Sequence, residues 1–242
     1  MDRVLDTWQS NALSADMPIA HYGNSGAVLL MFPSAAADYL EYERFYLIDS
    51  IKHHIESGKV QCYSINSINS ESWLNSEIEP RQKSIRHQQF NTYVADEVVP
   101  YIKKHSGDDA ETYTFGVSFG ALHAMNTLLR RPDLFAGTIA MSGVYDLKSY
   151  TKGYFDEDAY FNSPADYLPN LTDEAVLDEI RKKKITIYTG SGEYEDPSYS
   201  WKIAEILGSK QIPNWVECWD HTWRHDWPTW REMLPQAIEK FL

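Results

Sequence analysis

TYTFGVSFGALHAMNTLLR, residues 112–130, passes from a strand-like stretch to a helical one with a single tight turn between them. TYTFG has the aromatic and β-branched composition of a strand, and residues 119–131 read as a helix. Direct passage from strand to helix is the repeating unit of a parallel sheet, and the flanking sequence carries more such units. AVLLMF at 27–32 is a short, continuous apolar run of the kind that suits a strand covered on both faces. Residues 38–58 follow with helical spacing and stop at Gly58, a C-cap. VQCYSI at 60–65 is again β-rich, and 84–105 is an amphipathic helix. GTIAMSG (137–143), KITIYTG (184–190) and WVECW (215–219) are further strands, with helices at 198–207 and 229–241. Residues 3–22 read as an antiparallel hairpin. The expected fold class is α/β, a mostly parallel central sheet flanked by helices on both faces. No repeat or linker interrupts it, so residues 1–242 are expected to form a single domain. The irregular stretch 144–172 is expected to be an insertion serving as a pocket wall or lid.

Composition narrows the function. The 242 residues are 43% hydrophobic and 14% aromatic, enough for a sizeable core and unlike a disordered chain. A formal net charge of −13 disfavours nucleic acid and anionic membrane surfaces as partners. The N-terminus lacks the apolar core of a secretory signal, and no apolar run has the length of a membrane span. Cys62 and Cys218 both lie in apolar, strand-like stretches and read as buried free thiols of a reducing, cytoplasmic setting. On that reading the sequon at Asn170 is accidental.

Chemistry enters at Gly116-Val117-Ser118-Phe119-Gly120, a G-x-S-x-G pattern. Five residues alone are a weak signal. Set between a strand and a helix, they match the context of a nucleophile elbow, where the serine sits on a sharp, strained turn. Glycines on either side let neighbouring backbone pass closely. A capping serine on an ordinary turn is the plain alternative.

A serine hydroxyl needs a base, and the base needs a third group to orient it. In this elbow-based fold the order is serine, acid, histidine. SGEYEDPS, after the strand at 184–190, offers Glu193, Glu195 and Asp196. Asp196 is preferred because it stands at a strand-to-helix junction before Pro197, with Glu195 next in line. Any of them could instead serve only the helix N-terminus. After WVECW come His221 and His225, spaced like a metal pair, but position 222 is Thr and no third ligand is nearby. Pro228 places both in a loop ahead of the last helix, and His225, nearer that helix, is the expected base. Neither a metal nor a cofactor is expected. The Phe119 N–H and an N–H of FPSAAADY, Ala35 foremost, are the expected oxyanion donors. His53 and His54 read as a solvated or half-buried helix face. Six of the eight tryptophans fall between 201 and 230, core first, with Trp223 or Trp227 as pocket lining.

Taken together, GVSFGALHA with LRRPDLFAGTIAMSGVYDL, FNSPADYLPNL, and IPNWVECW with HDWPTWREMLP resemble the putative-esterase (esterase-D-like) family of α/β-hydrolases over nearly the whole chain. That family includes S-formylglutathione hydrolases, feruloyl esterases and mycolyltransferases. The resemblance implies an α/β-hydrolase fold, with Ser118 as nucleophile, Asp196 as acid, His225 as base, and Phe119 and Ala35 as oxyanion donors. The first loop departs from the family, since Ser34 and alanines stand where relatives often carry glycine. The expected activity is serine carboxylic-ester hydrolysis of a small-molecule ester through an acyl-enzyme. Acyl transfer or thioester hydrolysis with the same residues, or a non-catalytic binding protein on the same fold, are the alternatives.

Overall fold

The structure is a computed structural model that describes all 242 residues. Eight strands form one sheet in the order β1-β2-β4-β3-β5-β6-β7-β8. β1 (Arg3–Ser10) and β2 (Ala15–Tyr22) make the expected hairpin, pairing Arg3 with Tyr22 through Ser10 with Ala15. β2 also runs antiparallel to β4 (Val60–Ile65), and β4 is parallel to β3 (Ala27–Phe32). β5 (Thr112–Val117), β6 (Gly137–Met141), β7 (Lys184–Thr189) and β8 (Trp215–Cys218) continue in parallel.

The apolar runs are explained by cover on both faces. On β3, Val28, Leu30 and Phe32 enter one core while Leu29 and Met31 enter the other. This is the two-residue period of a strand feeding two hydrophobic layers.

Residues 41–56 form three short helices, α1 (Glu41–Arg44), α2 (Leu47–Ser50) and α3 (Lys52–Glu56), rather than one. The break falls at Tyr46, which is left-handed at φ 61, and the bends let Leu47, Ile48, Ile51 and Ile55 all turn inward. The next expected helix starts at Pro80 and comprises α4 (Pro80–Tyr93), a π turn at Val94–Val98, and α5 (Val99–Ser106). Pro100 has no N–H to donate and crowds the turn before it, and widening that turn relieves the clash. α6 (Phe119–Arg130) follows β5 directly.

The stretch after β6 carries α7 (Lys148–Thr151), α8 (Glu157–Phe161), α9 (Pro164–Tyr167) and a 3₁₀ turn. α10 (Glu174–Arg181) was not expected, although Asp173 caps it by accepting from Ala175 and Val176 N–H groups. α11 (Pro197–Ser209) and α12 (Trp227–Phe241) complete the chain. α4, α5, α6, α10 and α11 supply buried residues to one core, and α2 and α12 to the other. No helix is long and apolar enough to cross a membrane.

Two expectations are corrected. Cys218 is exposed, unlike Cys62, because β8 is the edge strand and is only partly covered. His53 is solvent-facing but His54 is buried, with its Nε2–H donating to Glu239 Oε1 at 2.7 Å.

Candidate active site

The site lies where β5, β6, β7 and β8 end. Ser118 sits between β5 and α6 at φ 55, a left-handed value that costs a residue with a Cβ about 1–3 kcal/mol. Its N–H donates to Met141 O at 2.9 Å, tying the elbow to β6. Gly120 accommodates the close crossing. A methyl group there would strike the carbonyls of Phe32 and Pro33, and one at Gly116 would strike the Gly120 carbonyl.

His225 reaches this serine across 107 residues of sequence, with Nε2 2.9 Å from Ser118 Oγ. Its other ring nitrogen faces Glu195, with Nδ1 3.3 Å from Oε2. The Glu195 side chain is only 2% exposed, whereas that of His225 is 26% exposed. An ionised Glu195 accepts the Nδ1–H and leaves the Nε2 lone pair to face the hydroxyl.

Asp196, the preferred acid, is elsewhere. It is the N-cap of α11 and accepts from Ser198 N–H at 3.0 Å, with no hydrogen bond to His225. Asp196 is bent into a cap by the turn that opens the helix, while the longer Glu195 side chain points back under the histidine. Glu195 takes the place expected of Asp196. His221 is exposed and makes no side-chain hydrogen bond, so of the two histidines only His225 meets the serine.

The loops after β7 and β8 are laced together by backbone. Gly192 N–H donates to Trp223 O at 2.8 Å and His225 N–H to Glu193 O at 3.0 Å. Arg224 and Glu193 add an exposed ion pair at 3.2 Å. Two residues that the sequence did not flag fix Glu195, one directly and one through the other. Ser142, at the end of β6 with φ 51, donates a short hydrogen bond to Glu195 Oε1. Trp230, on α12, donates its Nε1–H to Ser142 Oγ at 2.9 Å, and its ring meets His225 edge-on at 5.1 Å. Trp227 stacks on Phe45 at 4.5 Å and Trp223 packs against Trp219. Both are packing residues in these contacts.

Phe119 opens α6, so its N–H has no partner within the helix. Ala35 has φ 34, and neither its N–H nor that of Ala36 donates to any protein group. Ser34, just before, is clamped by buried Glu41, which accepts from the Ser34 N–H at 2.8 Å and the hydroxyl at 2.6 Å. Burial raises the Glu41 pKa against the opposing pull of these two hydrogen bonds.

Two antiparallel strands leading into a parallel sheet, with the serine elbow between β5 and α6, define the α/β-hydrolase fold. The chain belongs to the family described as "Putative esterase", whose model matches residues 66–241, and is an enzyme of the esterase class. No curated protein matches it by sequence. Among solved structures it is similar to a ferulic acid esterase, with TM-score 0.77 and 18% identity over 98% of this chain and 96% of that one. It is also similar to an S-formylglutathione hydrolase from Agrobacterium tumefaciens, with TM-score 0.71 and 15% identity over 98% and 93%. The fluorophosphonate-binding serine hydrolase F of Staphylococcus aureus gives TM-score 0.71 and 15% identity over 98% and 97%.

Proposed function

We propose that the protein is a serine carboxylic-ester hydrolase that works through an acyl-enzyme on Ser118. The observation that carries this reading is His225 set between the serine hydroxyl at 2.9 Å and the buried Glu195 at 3.3 Å. Ser118 Oγ attacks the ester carbonyl carbon while its proton passes to His225 Nε2. The resulting imidazolium is stabilised by the Glu195 carboxylate and gives its proton to the departing alcohol oxygen. Water then attacks the acyl carbon, loses a proton to Nε2, and releases the carboxylic acid and free serine. The carbonyl oxygen is negatively charged in both tetrahedral intermediates. The Phe119 N–H and an N–H of the 34–36 loop, Ala35 foremost, are the donors that meet it.

Residues 144–172 act as a wall of the acyl site in this reading, supported by Tyr150 on α7, whose ring meets Phe119 edge-on at 4.9 Å. Purified protein is expected to hydrolyse short-chain p-nitrophenyl esters and to be labelled by a fluorophosphonate at Ser118. Absence of both would overturn the proposal.

A further inference from the structure

Behind the oxyanion loop lies a chain of buried polar groups that the proposed mechanism does not use. Asn69 is 0% exposed and donates its Nδ2–H to the Ala35 carbonyl at 2.5 Å. Its amide oxygen then faces His123, with Nε2 2.9 Å away on the buried face of α6. Since the Asn69 nitrogen is the donor to Ala35, its oxygen must accept, and His123 must carry its proton on Nε2. Burial lowers the His123 pKa to about 3, so the ring is neutral and this tautomer persists throughout the working range of an esterase. His123 is itself wedged between Phe119, at 5.2 Å between ring centres, and His87, at 4.8 Å. His87 in turn accepts the Trp73 indole N–H at 2.7 Å.

We infer that Asn69, held by His123, is a positioning residue that sets the backbone of the oxyanion loop. The inference rests on the serine-esterase reading above. Ala35 is an exposed alanine in a left-handed conformation, a state that persists only where surrounding contacts impose it. Two side chains hold its carbonyl, Asn69 and, at 3.2 Å, the Ser67 hydroxyl. That carbonyl shares a rigid peptide plane with the Ala36 N–H, which points the opposite way. Anchoring it, with Ser34 fixed by Glu41 one residue earlier, leaves the Ala35 and Ala36 N–H groups little freedom to turn from the nucleophile. The same α6 supplies Phe119 at its first residue and His123 one turn on, so one helix carries one oxyanion donor and indirectly orients the other. Preorganised donors of this kind act on the charge of the transition state far more than on the bound ester.

The test is steady-state kinetics of Asn69→Ala on matched p-nitrophenyl ester and thionoester substrates. A sulfur anion draws less on N–H donors than an oxyanion does. The expected result is a fall in kcat of roughly 10- to 100-fold for the oxo ester. KM should stay within about twofold, and the thionoester should lose clearly less. His123→Leu should show the same pattern, and His123→Gln, whose amide can donate from near the Nε2 position, should recover most of the loss. Equal losses on the two substrates, an unchanged kcat, or no recovery with glutamine would overturn the assignment. A wild-type protein inert to both esters and to fluorophosphonate would instead overturn the esterase reading itself.

Discussion

Glu195 and Asp196 are adjacent carboxylates with different partners, His225 and Ser142 for the first and the N-terminus of α11 for the second. The sequence favours Asp196, the acid nearer the helix, because an acid before a proline-led helix is a strong local signal. That signal reports capping, and Asp196 does cap α11. The placement of Glu195 beside the histidine depends on contacts 30 and 53 residues away, to His225 and Ser142, and no local pattern encodes them. That Ser118 and His225 come together is marked in the sequence by punctuation, the paired glycines of the elbow and the proline after HDW. Substitution separates the acids. Glu195→Gln should lower kcat by orders of magnitude, about 10⁴ in the serine-protease precedent. Asp196→Asn keeps a good cap and should leave turnover and stability near wild type, while Asp196→Ala should cost about 1 kcal/mol in a denaturant titration. Ser118→Ala and His225→Ala should each abolish ester turnover, and His221→Ala should not.

At the scale of elements, the strand-to-helix alternation is plain because β3, β4, β5, β6 and β7 are buried on both faces and therefore read as apolar runs. What escaped was local departure from regularity: the break at Tyr46, the π turn before Pro100, and the short α10. The first two arise where tertiary packing or a proline overrides helical spacing. α10 had a cap signal at Asp173 but too few residues to stand out. In the proposed mechanism the seam between the loops after β7 and β8 sets His225 against Glu195. Gly192 lies so close to this seam that an added methyl would press on the carbonyls of Trp223 and His221. Gly192→Ala should therefore push the histidine loop from the acid loop. The expected outcome is a kcat reduced at least tenfold with the far-UV circular dichroism spectrum unchanged, since a displacement of about 1 Å can cost 100-fold.

For the whole molecule, buried histidines set the acid limit. Burial lowers the His87 pKa well below its ordinary value and that of His123 to about 3, from 6.5 for a free side chain. Below pH 6.5 the unfolded chain takes up protons that the folded chain refuses, so stability falls as pH drops through this window toward 3. Each histidine contributes on the order of 1.4 kcal/mol per pH unit there. Glu41, with its raised pKa, acts in the opposite sense, losing its contribution as pH rises above 4.5. The urea midpoint should accordingly be lower at pH 5 than at pH 7, and His87→Phe should flatten that slope if the core accepts the ring.

The short edge strand β8 has one further consequence. It is four residues long and has a neighbour on one side only, yet the loop it launches carries His225. Margins of a sheet open at lower free energy than its centre. Trp215, Trp219 and Trp223 stand on β8 and the loop it launches, and Trp227 and Trp230 open the helix that follows, so intrinsic fluorescence is weighted toward this margin, whereas circular dichroism averages over the chain. In a urea titration, ester turnover and tryptophan emission should change together, ahead of the far-UV signal. Coincidence of all three curves would mean that this margin opens only when everything else does. Inactivation of this enzyme is thus expected to be a local event, reversible on dilution while the rest of the sheet still serves as its template.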